Sequence, residues 1–204
     1  MNTLPAAALM ILTSLGLAAA PQQPPPTPAD ASHHPPVGQP EVPQTRAGWP
    51  KAQPADVESL DATVKSFYAL SSGAKGEARD WDRYRSLFLP EARLIAARAT
   101  EKGAGAFVLT VDDFVGQNRN YFERGGFFET EVARRVEAFG SIAQVWSTYE
   151  SRHDPRRAPY VRGINSIQLL KDGDRWWIVN VFWDFERPES AIPGRYLPGG
   201  EARP

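Results

Sequence analysis

The chain has no cysteine, and that one absence removes disulfides, zinc-thiolate centres, iron-sulfur clusters and cysteine nucleophiles together. Histidine is nearly as scarce. Of three, only His153 lies beyond the N-terminal third, which excludes a multi-histidine metal centre in the rest of the chain. Nor is there an excess of charge: 23 Lys and Arg stand against 24 Asp and Glu over 204 residues. No basic run is longer than a pair such as Arg156-Arg157, so nothing can neutralise a row of phosphates, and nucleic acid is excluded as a partner. Carboxylates, arginine, asparagine and aromatics remain as chemistry, and no cofactor is expected.

What is present divides the chain. Residues 4 to 20 are uncharged and apolar and end on Ala18-Ala19-Ala20, small residues of the kind signal peptidase accepts. Residues 1–20 are therefore expected to be a signal peptide cleaved near Ala18 to Ala20, although no Lys or Arg precedes the apolar stretch. At 17 residues that stretch is at the lower edge of what spans a bilayer, and no stable span is expected after cleavage. The product would be secreted or periplasmic. From Pro21 to Pro54, 11 of 34 residues are proline, with too few apolar groups to offset the entropy of ordering, so 21–54 is expected to be a disordered, semi-stiff linker. Trp49, near its end, is placed to dock back on the domain that begins at Ala55. Residues 55–188 form one domain by length and pattern, and 189–204 a tail.

Within the domain the period is helical first and two-fold later. Asp56 is a candidate cap for a helix from Val57 to Ser71, whose Leu60, Val64, Phe67, Tyr68 and Leu70 make one apolar stripe. Asp80 caps a second helix carrying Trp81, Tyr84, Leu87 and Phe88, stopped by Pro90. A short strand from Ala92 to Ala97 comes next, and Thr110 with Asp113 three residues on opens a third helix in a capping-box arrangement. After Gly126 come four long alternating strands, Phe127 to Ala138, Ser141 to Arg152, Tyr160 to Leu170 and Arg175 to Phe185, the last two joined by an Asp172-Gly173 turn. Helices first and an antiparallel meander second predicts an α+β fold, with three N-terminal helices packed in the concave face of a strongly curved sheet.

That element order, the phrase Leu87-Phe88-Leu89-Pro90-Glu91-Ala92-Arg93-Leu94, and the phrase Asp172-Gly173-Asp174-Arg175-Trp176-Trp177-Ile178-Val179 with Phe182-Trp183 after it resemble the nuclear transport factor 2-like superfamily. That group includes ketosteroid isomerase, scytalone dehydratase and the SnoaL-type cyclases, and the resemblance covers about residues 56 to 187. It implies a cystatin-like cone with a pocket between sheet and helices, often dimerising through the outer sheet face. It does not imply one activity, because the fold serves enzymes, binders and scaffolds. Scytalone dehydratase-like chemistry wants two histidines where this domain has one. Ketosteroid isomerase-like chemistry wants a carboxylate on the short strand, where this chain has Ala92-Arg93-Leu94-Ile95-Ala96-Ala97.

The candidate site combines Glu150 and Arg162, able to face each other across two neighbouring strands as a catalytic pair, with Tyr68, Trp81, Tyr84, Asn165 and Trp183 as ligand-binding walls and donor. The competing role for Glu150 and Arg162 is a structural pair at the rim, and for Asn165 a satisfied residue at a bulge beside Gly163. His153, before Asp154-Pro155, reads as a solvated turn residue. Glu129 and Glu131 share a strand face and could form a carboxylate pair, but charges at that spacing usually mark the solvent side. The expected functions are a cofactor-free binder of a small apolar molecule, most naturally a homodimer through the sheet; an isomerase, cyclase or hydrolase with a pocket carboxylate as base; or a non-catalytic dimeric scaffold.

Overall fold

A computed structural model describes residues 48–100 and 103–200. The expected signal peptide and residues 21–47 of the proline-rich segment lie outside the described residues. Trp49 does not. Its indole Nε1 donates to the Phe88 carbonyl at 3.0 Å, and its ring packs against the core.

The first element is one turn, α1 (Pro54–Val57), followed by α2 (Leu60–Ser71). Ser59, not Asp56, caps α2, its hydroxyl accepting from the Ala62 amide. Asp56 is instead buried, where its carboxylate takes a bidentate pair from Arg83 at 2.6 and 2.8 Å and a hydrogen bond from Ser66, fixing α1 and α2 to the next helix. That helix, α3 (Trp81–Arg85), is shorter than expected because Phe88 already belongs to a strand, β1 (Phe88–Thr100). Pro90 sits inside β1. It is tolerated there because the pairing of β1 with its neighbour is irregular between Phe88 and Arg93, where no proline N–H is missed.

A second strand, β2 (Gly103–Thr110), pairs antiparallel with β1 and was not expected. Its Gly-Ala-Gly-Ala start carries no alternating pattern, and Phe107 and Val108 stay exposed. Thr110 then caps α4 (Val111–Gly125) with the expected reciprocal box with Asp113. The four long strands come after it as β3 (Phe128–Phe139), β4 (Ile142–Arg152), β5 (Val161–Asp172) and β6 (Arg175–Phe185). Gly140 and Gly173 take φ of 56° and 57° in the two tight turns, a conformation that only glycine adopts without cost.

The result is the expected α+β plan with one sheet more extensive than foreseen: six strands in the order β2-β1-β6-β5-β4-β3, antiparallel except where β1 runs parallel to β6. Ladder irregularities between Glu131 and Ala133 and between Gln168 and Leu169 mark the bulges through which such a sheet bends. The helices fill its concave side, where Val64, Tyr84, Leu87, Phe88, Val145, Ile167 and Ile178 are wholly buried. Each such side chain stabilises by about 1.5–3 kcal/mol.

Two devices tie the layers together. Arg79 is buried, its guanidinium donating to the carbonyls of Ala74, Gly73 and Phe122, so it gathers the loop after α2 against the end of α4. Gly73 and Phe127 exchange backbone hydrogen bonds of 2.7 and 3.0 Å, which fixes the start of β3 to the end of α2. On the outer face the C-terminal segment returns across β4. Tyr196, in a short 3-10 turn (Gly194–Tyr196), lies 5.6 Å from the Trp146 ring, and its carbonyl accepts from the buried Thr148 hydroxyl. Part of the face expected to hold a second copy thus carries the chain's own end.

Candidate functional site

Between the sheet and α4 lies a cavity of about 370 Å³. α2 contributes Phe67 and α4 contributes Phe114, Asn118, Tyr121 and Phe122. The sheet contributes Leu94, Glu129, Tyr149, Asn165, Val181 and Trp183, among others. Nine of the 18 lining residues are aromatic. Several are braced against one another: Phe122 and Phe127 stack at 4.0 Å with planes 4° apart, and Phe114 meets Trp183 edge-on at 6.3 Å. Tyr121, Tyr160 and Arg98 are exposed and form the mouth.

The register decides which sequence candidates reach this space. On β4 the inward face is Val145, Ser147, Tyr149 and Ser151; on β5 it is Gly163, Asn165 and Ile167. Asn165 and Trp183 line the cavity. Tyr68 stands one layer behind, in hydrogen-bond contact with Asn165 at 3.1 Å. Trp81 and Tyr84 are core: Tyr84 is wholly buried among Phe67, Phe88 and Phe114, and Trp81 packs on Phe122 and donates to Glu123.

Glu150 and Arg162 are directly opposite each other in the ladder, but on the outer face, which corrects their assignment to the pocket. They do not pair with each other either. Glu150 takes Arg152, and Arg162 takes Glu186 at 2.7 Å, whose other oxygen accepts from the Ile192 amide at the root of the C-terminal segment. The physical reason is the two-residue period of a strand: facing residues share a side, but spacing alone does not say which side. Asn165 is likewise not at a bulge, since pairing with β4 runs unbroken through it. His153 is an exposed turn residue, its ring stacked on Tyr160 at 4.4 Å and its Nδ1 3.1 Å from the Gly126 carbonyl.

The residue that sequence reasoning set on the solvent side is the one that matters most. Glu129 points into the cavity. Its amide donates to Ser72 Oγ at 3.0 Å, and Ser72 Oγ donates to the Tyr68 carbonyl at 2.7 Å, so the C-terminal end of α2 aims this position. Asn165 Nδ2 donates to Glu129 Oε1 at 3.1 Å. Among the described residues no cation pairs with the carboxylate and Oε2 receives no hydrogen bond. Burial among aromatic groups pushes its pKa up to about 7, with the Asn165 hydrogen bond opposing that rise.

Behind it runs a chain of hydrogen bonds whose directions are fixed by donor counting. Ser147 gives its one hydroxyl proton to Glu131, so at 2.6 Å it must accept from Tyr68. Tyr68 in turn accepts one hydrogen of the Asn165 amide while the other goes to Glu129. Glu131 is held by Arg134, which also reaches Asp61 on α2 at 3.0 Å. Burial, with the Glu129 charge adding to it, keeps the Tyr68, Tyr84 and Tyr149 phenols above their ordinary values, so they stay neutral. Among the described residues the cavity therefore presents one ionisable carboxylate, oriented on one oxygen and without a hydrogen bond on the other, in an aromatic enclosure. Among the described residues no group of three or more His, Asp or Glu side chains is arranged to hold a metal.

No protein-family profile matches the chain, and no curated protein matches it. Solved structures do resemble it. A protein of unknown function with a cystatin-like fold from Nostoc punctiforme is 11% identical, covering 68% of this chain and 91% of its own, with a TM-score of 0.49. An NTF-2-like protein of unknown function from Silicibacter pomeroyi is 16% identical over 62% of this chain and 92% of its own, TM-score 0.45. One from Shewanella baltica is 12% identical over 63% and 98%, TM-score 0.44. Each of these likenesses extends over 62–68% of the chain.

Proposed function

We propose that this NTF2-like domain binds a small, mainly apolar molecule in its cone, with Glu129 meeting the molecule's polar group. The observation that carries the reading is a 370 Å³ cavity in which aromatic side chains enclose one oriented, unpaired carboxylate. That volume is in the range of about 300–1,000 Å³ usual for small-molecule sites, and few, fixed polar groups in an apolar lining are what such sites use for orientation. The uncharged N-terminal segment with its Ala18-Ala19-Ala20 end supports a secreted or periplasmic setting for that binding. Native mass spectrometry of the protein from its own host tests both: a retained adduct of a few hundred daltons, lost in Trp183→Ala, supports the reading, and a mass starting at residue 19, 20 or 21 supports secretion. A clean apoprotein that also takes up nothing from an apolar compound library overturns the first.

One observation favours a second reading, catalysis with Glu129 rather than Glu150 as general base. A carboxyl titrating at about 7 with one oxygen fixed by Asn165 is matched to proton abstraction at neutral pH. Deuterium exchange at the α-carbon of small apolar ketones in D₂O tests this. Exchange accelerated by the protein and abolished in Glu129→Gln supports it, and exchange at the buffer rate for every ketone that binds overturns it.

A further inference from the structure

The geometry points to an organic cation, an amine or quaternary ammonium carried on an aryl or alkyl group, as the ligand class of the cavity. This rests on the binding reading above and deepens it.

Three features of the enclosure converge on that chemistry. The first is charge. Glu129 is the cavity's inward-facing ionisable carboxylate, and among the described residues its Oε2 receives no hydrogen bond and no cation neutralises it. The charged form of a buried carboxylate is costly until a counter-charge arrives, so a ligand cation gains what the fold leaves unsatisfied. The second is the wall. Phe114, Phe122, Phe127, Tyr149, Tyr160 and Trp183 surround the space, and the faces of such rings are negative, attracting an ammonium within about 6 Å of a centroid. A ligand anion would meet the carboxylate with the wrong sign. The third is Arg98, the one cation among the described lining residues. It is exposed at the rim with its guanidinium over the Phe107 ring at 4.8 Å, so it is solvated and engaged on β2 instead of reaching Glu129.

The other groups around Glu129 leave it as the titrating element of the enclosure. Tyr68 from α2, Tyr84 from α3 and Tyr149 from β4 face it as neutral phenols; Tyr160 at the mouth is raised by burial and by Tyr121. Glu131 on the same strand is spent on Arg134, and Asp184 on β6 on Arg187. His153 is outside the cavity but stacks on Tyr160, and so needs a control.

The test uses benzyltrimethylammonium and its neutral isostere neopentylbenzene, titrated calorimetrically into the whole protein at pH 5.5 and 8.5. The cation is expected to bind at least tenfold more tightly at pH 8.5, following ionisation of Glu129, and at least tenfold more tightly than the isostere at that pH. Glu129→Gln, which retains a carbonyl oxygen for Asn165, is expected to abolish that pH dependence, while His153→Gln retains it. Trp183→Leu, apolar but without a π face, is expected to weaken the cation more than the isostere. If the isostere binds as well as the cation at both pH values, the cation inference falls and the cavity stands as a neutral apolar site. If neither probe nor any member of an apolar library binds to protein shown to be folded by circular dichroism, both readings fall.

Discussion

Asn165 Nδ2 lies 3.1 Å from Glu129 Oε1, and this hydrogen bond is what fixes the orientation of the cavity's carboxylate. It also stabilises the ionised form against the burial that disfavours it. Asn165→Leu removes the donor while keeping the volume. Glu129 should then titrate above about 7, and the loss of two buried hydrogen bonds should cost about 1–3 kcal/mol. A carboxyl-carbon NMR titration of the variant reads the first effect directly; an unchanged or lowered midpoint would show that Asn165 does not hold the carboxylate.

The raised pKa of Glu129 has a defined sign in stability. The folded state keeps the proton up to about 7, whereas an unfolded Glu releases it near 4.5, so between those values the folded state binds more protons. Stability from this group is therefore undiminished below the unfolded pKa and falls as pH rises to 7. At about 1.4 kcal/mol per unit, reduced because the cavity admits water, the cost above pH 7 is about 1–3 kcal/mol. Glu129→Gln should thus be more stable than the parent at pH 8 and equal to it at pH 4 in urea melts. A variant destabilised equally at both values would contradict a buried, ionised Glu129.

Gly163 is the floor under Tyr149. A Cβ at this position would come within 2.7 Å of the Tyr149 hydroxyl and still closer to the Asp184 carbonyl. Since backbone cannot yield cheaply, Gly163→Ala should push the Tyr149 ring toward the cavity and cost about 1–3 kcal/mol by overpacking. The measurable consequences are a lower midpoint in thermal melts and weaker binding of any cavity ligand. A variant as stable as the parent would mean that β5 and β6 can part at this pair.

How much of the fold and site was legible in the sequence depends on what each pattern encodes. The Thr110-Asp113 box, the Asp172-Gly173 turn and the four alternating runs are local signals, and each appears in the fold where its residues put it. β2 was not legible, because an edge strand opening on Gly103-Ala104-Gly105-Ala106 buries almost nothing and so carries no pattern. Facing pairs were legible and faces were not: Glu150 and Arg162 are opposite one another, yet on the outer side. Glu129 was missed for the same reason. The alternation of β3 is broken by the irregularity after Glu131, so residues that read as its solvent side turn inward. One signal was present, in that Glu129 comes after Phe127 and Phe128 directly past the Gly125-Gly126 stop, where the chain is still under α4.

The same register that takes Arg162 out of the cavity gives it another task. Arg162 holds Glu186, Glu186 accepts from the Ile192 amide at 3.0 Å, and from there the chain lays Tyr196 on Trp146 and its carbonyl on Thr148. Ending the chain after Ser190 should uncover Trp146 and strand the buried Thr148 hydroxyl without its acceptor, at a cost of about 1–3 kcal/mol. The uncovered strip would adjoin Phe182 and Ile142, already 44% and 60% exposed on that side of the sheet, and so complete an apolar face. Light scattering during size exclusion should therefore show a larger dimeric fraction for the truncated protein than for the full chain. Arg162→Leu should shift in the same direction by a smaller amount, because it loosens the segment without removing it. Equal oligomeric states and equal melting points for all three proteins would mean that the segment lies on the sheet without holding it closed.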